Sequence, residues 1–131
     1  MSPTIADQGD RLVVPEGYTA KPIAAWGEPV GIAGNMPAFR WDASNSSDEQ
    51  SVQMGMHHDG LHFYALDNRS DRGLLAMNHE YTDDGLLHPG GMTNWSAEKV
   101  RKSLAAHGLS VIEVEAKDGQ WSMVRPSKYA R

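Results

Sequence analysis

Gly55-Met-His-His-Asp-Gly-Leu-His-Phe-Tyr-Ala-Leu66, followed after a short gap by Gly73-Leu-Leu-Ala-Met-Asn-His-Glu-Tyr81, is the stretch that decides the fold. Leu61–Leu66 is rich in apolar and aromatic residues and reads as a strand, and Leu74–Asn78 reads as a second. Between them Asp67-Asn68 and Asp71-Arg72-Gly73 are turn formers, so the two runs predict a hairpin. The same stretch carries the chemistry. Four of the six histidines, His57, His58, His62 and His79, fall in it, and His88 follows closely. Histidine and carboxylate are the side chains that bind metal ions and move protons near neutral pH.

Outward from the hairpin, the β signals continue on the C-terminal side. Leu109–Glu115 alternates apolar and polar residues, with Leu109 and its alternate neighbours expected inward. Lys117-Asp118-Gly119-Gln120 turns the chain into Trp121–Val124, a second hairpin. Ser96–His107 is the one expected helix, with Ser96 as N-cap, Glu98 in the first turn and Gly108 as the stop. Ala97, Val100 and Leu104 mark its apolar face. Asp83–Asn94 reads as loop.

On the N-terminal side, Met1–Arg11 is a polar, frayed lead-in. Leu12–Tyr18 is an extended piece closed by a Pro15-Glu16-Gly17 turn. Thr19–Trp26 is expected as an edge strand, with Pro22 barring a central place. Gly27–Pro37 reads as loop, and Trp41–Ser51, dense in Asp, Asn and Ser, as surface loop. The four tryptophans are expected in the core or at its edge. The sum is a mainly β chain with one α-helix, forming over residues 1–131 one domain or a piece of one.

Composition narrows the function. The net charge of −5 disfavours nucleic acid and anionic membranes as partners. No apolar run is long enough to span a bilayer. The first ten residues lack the apolar stretch of a signal peptide. Cysteine is absent, so disulfides and thiolate-ligated metals are excluded, and any metal would be held by oxygen and imidazole.

Two readings stand for each candidate residue. His57-His58-Asp59 is a metal or phosphate site, or a set of exposed loop histidines with Asp59 turning into Gly60. Neighbours in a strand face opposite sides, so His57 and His58 do not aim at one ion, whereas His58 and His62 share a face if the strand is regular. Glu80, just past an apolar strand, is a ligand for a hard cation or a general base, or else a surface carboxylate beside a turn histidine. No Gly-x-Ser-x-Gly elbow or phosphate-cradling loop is present.

Taken together, these segments resemble the PhoX family of secreted bacterial alkaline phosphatases. Val14-Pro-Glu-Gly-Tyr18 with Ala25-Trp26-Gly27 is similar to the family's opening segment. Gly55–Asp59 stands at the place of a Gly-x-Asn-Cys-Asp-like motif, with His58 at the cysteine. Gly73–Thr82, containing Asn-His-Glu-Tyr-Thr, resembles the family's most specific signature. His107-Gly108 and Asp118–Trp121 continue the likeness. The resemblance implies a β-propeller whose central cleft holds iron and calcium and hydrolyses phosphomonoesters. By position, Glu80 would be the leading metal ligand, with Asp59 and His58 beside it and Asn78, His79, His57 and His62 in support. A propeller needs at least four blades of roughly 40 to 50 residues, so the chain is expected to supply the first two or three blades and to be inactive alone. Open sheet edges would favour self-association. The family is exported, which implies a periplasmic or secreted location. The rival reading is a non-enzymatic β-domain that binds metal or protein through the His57–His62 cluster.

Overall fold

A computed structural model describes residues 12–131; the lead-in expected over Met1–Arg11 lies outside them. The centre is a four-stranded antiparallel sheet of β1 (His58–Ala65), β2 (Arg72–His79), β3 (Gly108–Lys117) and β4 (Gln120–Met123), in the order β1-β2-β3-β4. Both expected hairpins form, with β1, β2 and β3 longer than the apolar runs alone indicated and β4 shifted by one residue from Trp121–Val124. In the first turn Asp67 and Asn68 sit at φ 53° and 57°, the left-handed region that these two residue types tolerate best among those with a Cβ.

One four-stranded meander is the content of one propeller blade, not the two or three that chain length suggested. The remaining length goes into a strap before β1 and a long connection between β2 and β3. With this sheet and few helices, the fold is mainly β, the N-terminal portion of a propeller-like architecture. Three helices are present among the described residues rather than one: α1 (Ser47–Gln50), α2 (Asp84–Leu87) and α3 (Ala97–Ala106).

Register fixes the faces. Met77 pairs with Ser110 and Leu75 with Ile112, so these residues and Val114 point to one side. There Val30, Met54, Met77, Ile112, Val114 and Ala130 form the main core. Leu109 was expected inward and is exposed instead. Its partner Asn78 lies on the opposite face, and Ser110 takes the inward place. A second cluster of Met56, Leu87 and Ala106, with Trp26 against it, sits under α3.

The strap corrects two expectations. Thr19–Trp26 forms no strand. Pairing begins only after it, where Gly27 N donates to Met54 O, Val30 N to Val52 O and Met54 N to Glu28 O. Gly27 allows this with φ 82° and with the Phe39 ring where a Cβ would stand. Trp41–Ser51 is not wholly loop, because Ser46 and Glu49 make a reciprocal capping box that opens α1. The signature Ser-x-x-Glu was readable, yet the density of turn formers around it outweighed one short helix.

α3 begins where expected, with Ser96 Oγ accepting from Lys99 N at 3.2 Å. Its facing is reversed. Val100 and Leu104 are exposed, while Lys102 and Ala106 are buried. Lys102 reaches inward to donate from Nζ to Ala43 O at 2.7 Å. Of the tryptophans, Trp26 is half-buried, whereas Trp41 is 93% exposed and Trp95 and Trp121 are also exposed.

Candidate functional site

The two histidine-bearing segments meet at one end of the β1–β2 hairpin. His58 pairs with His79 and Asp59 with Asn78. Just outside the ladder, Glu80 N donates to His57 O at 3.0 Å. His57 takes φ 50°, and its ring stacks on Tyr81 with centroids 3.6 Å apart. Such a left-handed backbone is uncommon for a residue with a Cβ and needs support from its neighbours.

The Glu80 N bond and the Tyr81 ring supply it, and a clamp on Gly55 stands two residues away. Gly55 N donates to His79 Nε2 at 3.4 Å, and Ser110 Oγ lies 2.7 Å from the same nitrogen. His58 Nε2 lies 3.1 Å from Gly55 O and donates to it. The His58 and His79 rings meet edge to face at 4.9 Å. A Cβ on Gly55 would fall 2.3 Å from Ala106 O and 2.5 Å from His79 Cγ, so only glycine fits.

His79 is buried. Its Nε2 is shared between Gly55 N and Ser110 Oγ, and its Nδ1 has no hydrogen-bond partner among the described residues. Burial, with a smaller contribution from His58, pushes its pKa down from 6.5 to about 4. It is therefore a neutral, structural imidazole at pH 7. His88 is the second buried histidine, 3.0 Å from Ser103 Oγ and 3.3 Å from Asp84 Oδ1. Burial lowers its pKa too, outweighing the opposing pull of Asp84.

Asp59 and Glu80 stand exposed at the same hairpin end. His62 does not share a face with His58 as a regular strand would have it. The β1–β2 register slips by one residue between Asp59 and His62, a β-bulge at Gly60 that moves every later side chain to the other face. His58 and His62 thus lie on opposite faces, and His62 packs near Tyr64 at 4.5 Å. Ser110 matters to this arrangement and was not singled out from sequence, while Gly55 and Tyr81 were read only as members of their motifs. Ser110 carried no signal of its own, since a lone serine in an alternating strand marks nothing.

The donor chemistry of Asp59 and Glu80 suits a hard cation, but it is a partial set. Among the described residues no three His, Asp or Glu side chains come together to hold a metal ion. The site is an open surface. An apolar groove of about 610 Å³ lies elsewhere, lined by Trp26, Phe39, Trp41 and Leu86.

A family model described as alkaline phosphatase PhoX matches residues 1–131. The chain belongs to the PhoX family. A solved structure, Pseudomonas fluorescens PhoX in complex with vanadate, a transition state analogue, is 40% identical with a TM-score of 0.84. The match covers 91% of this chain and 20% of that one, so the chain spans about a fifth of the length of that PhoX. No curated protein matches. The clamp on Gly55 therefore sits within a PhoX sequence block, and the Asn78–Thr82 signature has a structural share, His79, beside its exposed carboxylate.

Proposed function

We propose that the chain is the N-terminal part of a PhoX-type phosphatase that hydrolyses phosphomonoesters in the periplasm or outside the cell. The carrying observation is the union of the two PhoX-like motifs at one hairpin end, through the Glu80 N to His57 O bond and the Asp59–Asn78 pair. In this reading the chain is a single domain or domain fragment whose sheet is a propeller blade. Glu80 leads the metal ligands, with Asp59 as an oxygen donor and His58 through the ring nitrogen not used on Gly55. Asn78 and His79 position the strand end, while His57 and His62 flank it. Calcium suits the carboxylates, and iron would rely on His58 where the family motif has cysteine. Such cations, when bound, neutralise charge on the transferring phosphoryl group. This chain contributes oxygen donors and their positioning.

With no group of three ligands among the described residues, the expected result is no phosphatase activity from these 131 residues alone. Turnover of an aryl phosphate that disappears in Glu80→Gln would overturn this. Thermal unfolding with Ca²⁺, Mn²⁺, Zn²⁺ or Fe³⁺ tests the ligands directly. A cation at 100 times its dissociation constant adds about 2.7 kcal/mol. A shift lost in Glu80→Gln supports the metal reading. A shift kept in Glu80→Gln but lost in His57→Ala and His62→Ala favours the rival, a non-enzymatic metal-binding domain.

A further inference from the structure

We propose that Asp84 is a positioning residue for the candidate site, holding the chain just past Glu80 against α3. This deepens the phosphatase reading and rests on Glu80 being a metal ligand in it.

β2 ends at His79, so Glu80, Tyr81 and Thr82 lie outside the β1–β2 ladder. Glu80 is held on its upstream side by the bond from its N to His57 O, and Tyr81 by its stack on the His57 ring. The downstream hold is Thr82, whose Oγ1 donates to Asp84 Oδ1 at 3.1 Å. The same oxygen accepts from Ser103 Oγ of α3 at 2.7 Å. With the Ser103 proton committed to Asp84, Ser103 Oγ accepts from His88 Nε2 at 3.0 Å, and His88 Nε2 is also 3.3 Å from Asp84 Oδ1. One carboxylate oxygen thus ties the exit of β2 to α3.

The anchor is itself fixed. Leu87 and Ala106, on the two helices that meet here, are fully buried together with Met56, and His88 is buried beside them in sequence. Burial alone would raise the Asp84 pKa, but the contacts with Ser103, Thr82 and His88 bring it below its ordinary value. Asp84 is therefore an anion at neutral pH, and its bonds are of the stronger, charge-assisted kind.

Loss of the carboxylate would affect its donors unequally. In Asp84→Ala, Ser103 Oγ can turn its proton to His88 Nε2, so that pair keeps a bond and Leu87 keeps its packing. Thr82 loses the acceptor that holds it. Asp84→Asn keeps an oxygen for both Thr82 and Ser103.

Amide exchange followed by NMR on the 131-residue chain reads the hold on Glu80 without any cation. Asp84→Ala should speed exchange of the Glu80 amide about tenfold, leave the β2–β3 ladder unchanged, and be largely rescued in Asp84→Asn. Thermal unfolding with Ca²⁺ or Mn²⁺ reads the consequence. The cation concentration for a half-maximal shift should rise up to about tenfold in Asp84→Ala, since only the ordered fraction binds, and recover in Asp84→Asn. Unchanged exchange at Glu80 overturns the proposal. So does a rise shared equally by the β2–β3 ladder, or an unchanged cation affinity beside faster exchange. Where the wild-type chain shifts with no cation, the ligand reading of Glu80 fails, and the exchange result alone decides whether Asp84 holds that segment.

Discussion

Gly55→Ala should cost about 3 kcal/mol of folding stability. Gly55 is not in the left-handed backbone region, so the whole cost is space. The new methyl would meet Ala106 O at 2.3 Å and His79 Cγ at 2.5 Å, one atom at the end of α3 and one in a buried ring. Neither is the free end of a flexible chain. Relief requires moving α3 or expelling the imidazole, which also breaks the Gly55 N–His79 bond. With total stabilities of about 5–15 kcal/mol for ordinary domains, this is a large share. Urea unfolding of the two proteins measures it, through a lower midpoint at unchanged slope. A loss under about 1 kcal/mol would mean the clamp is loose.

The second large effect is a loss of stability in mild acid. His79 has a folded pKa near 4 against 6.5 for the free ring, because burial and the nearby His58 oppose its charge. The unfolded chain therefore binds the proton first. The stabilisation is complete above pH 6.5, declines as pH falls from 6.5 toward 4, and levels off below. The full displacement corresponds to about 3 kcal/mol. His88 adds to it in the same direction. Carboxylates lowered by bonding, such as Asp84 and Glu113, respond only further into acid. Stability measured by urea from pH 7.5 to 4.5 should fall in the wild-type chain and fall less steeply in His79→Gln, which keeps an acceptor for Gly55 N. Equal slopes would remove His79 as the cause.

Both predictions concern groups whose roles are spatial, and that divides what was readable in the chain from what was not. The hairpins were legible because alternation and turn residues are local signals, and Ser96 announced α3 for the same reason. The bulge at Gly60 was not. One glycine inside a strand pattern does not say whether the register slips, yet that slip separates His58 from His62. Periodicity found the apolar stripe of α3 but could not say what faces it. The structure turns Val100 and Leu104 outward and buries the Lys102 stem, whose ammonium is satisfied by Ala43 O. The motif residues were legible as a group, whereas the division between an exposed pair, Asp59 and Glu80, and a buried support, His79 with Ser110, required the β2–β3 register.

α3 also grips the strap with opposite charges one turn apart. The Glu98 carboxylate accepts from Ser47 N at 2.6 Å and Ser47 Oγ at 3.0 Å, and Lys102 donates to Ala43 O. An anion thus meets the start of one short helix while a cation meets a carbonyl four residues before it. A segment gripped at both points cannot peel away while α3 stays in place without leaving the buried Lys102 ammonium short of its acceptor. Local opening of the strap and of α3 is therefore one event, and the connection between β2 and β3 behaves as a brace rather than a tether.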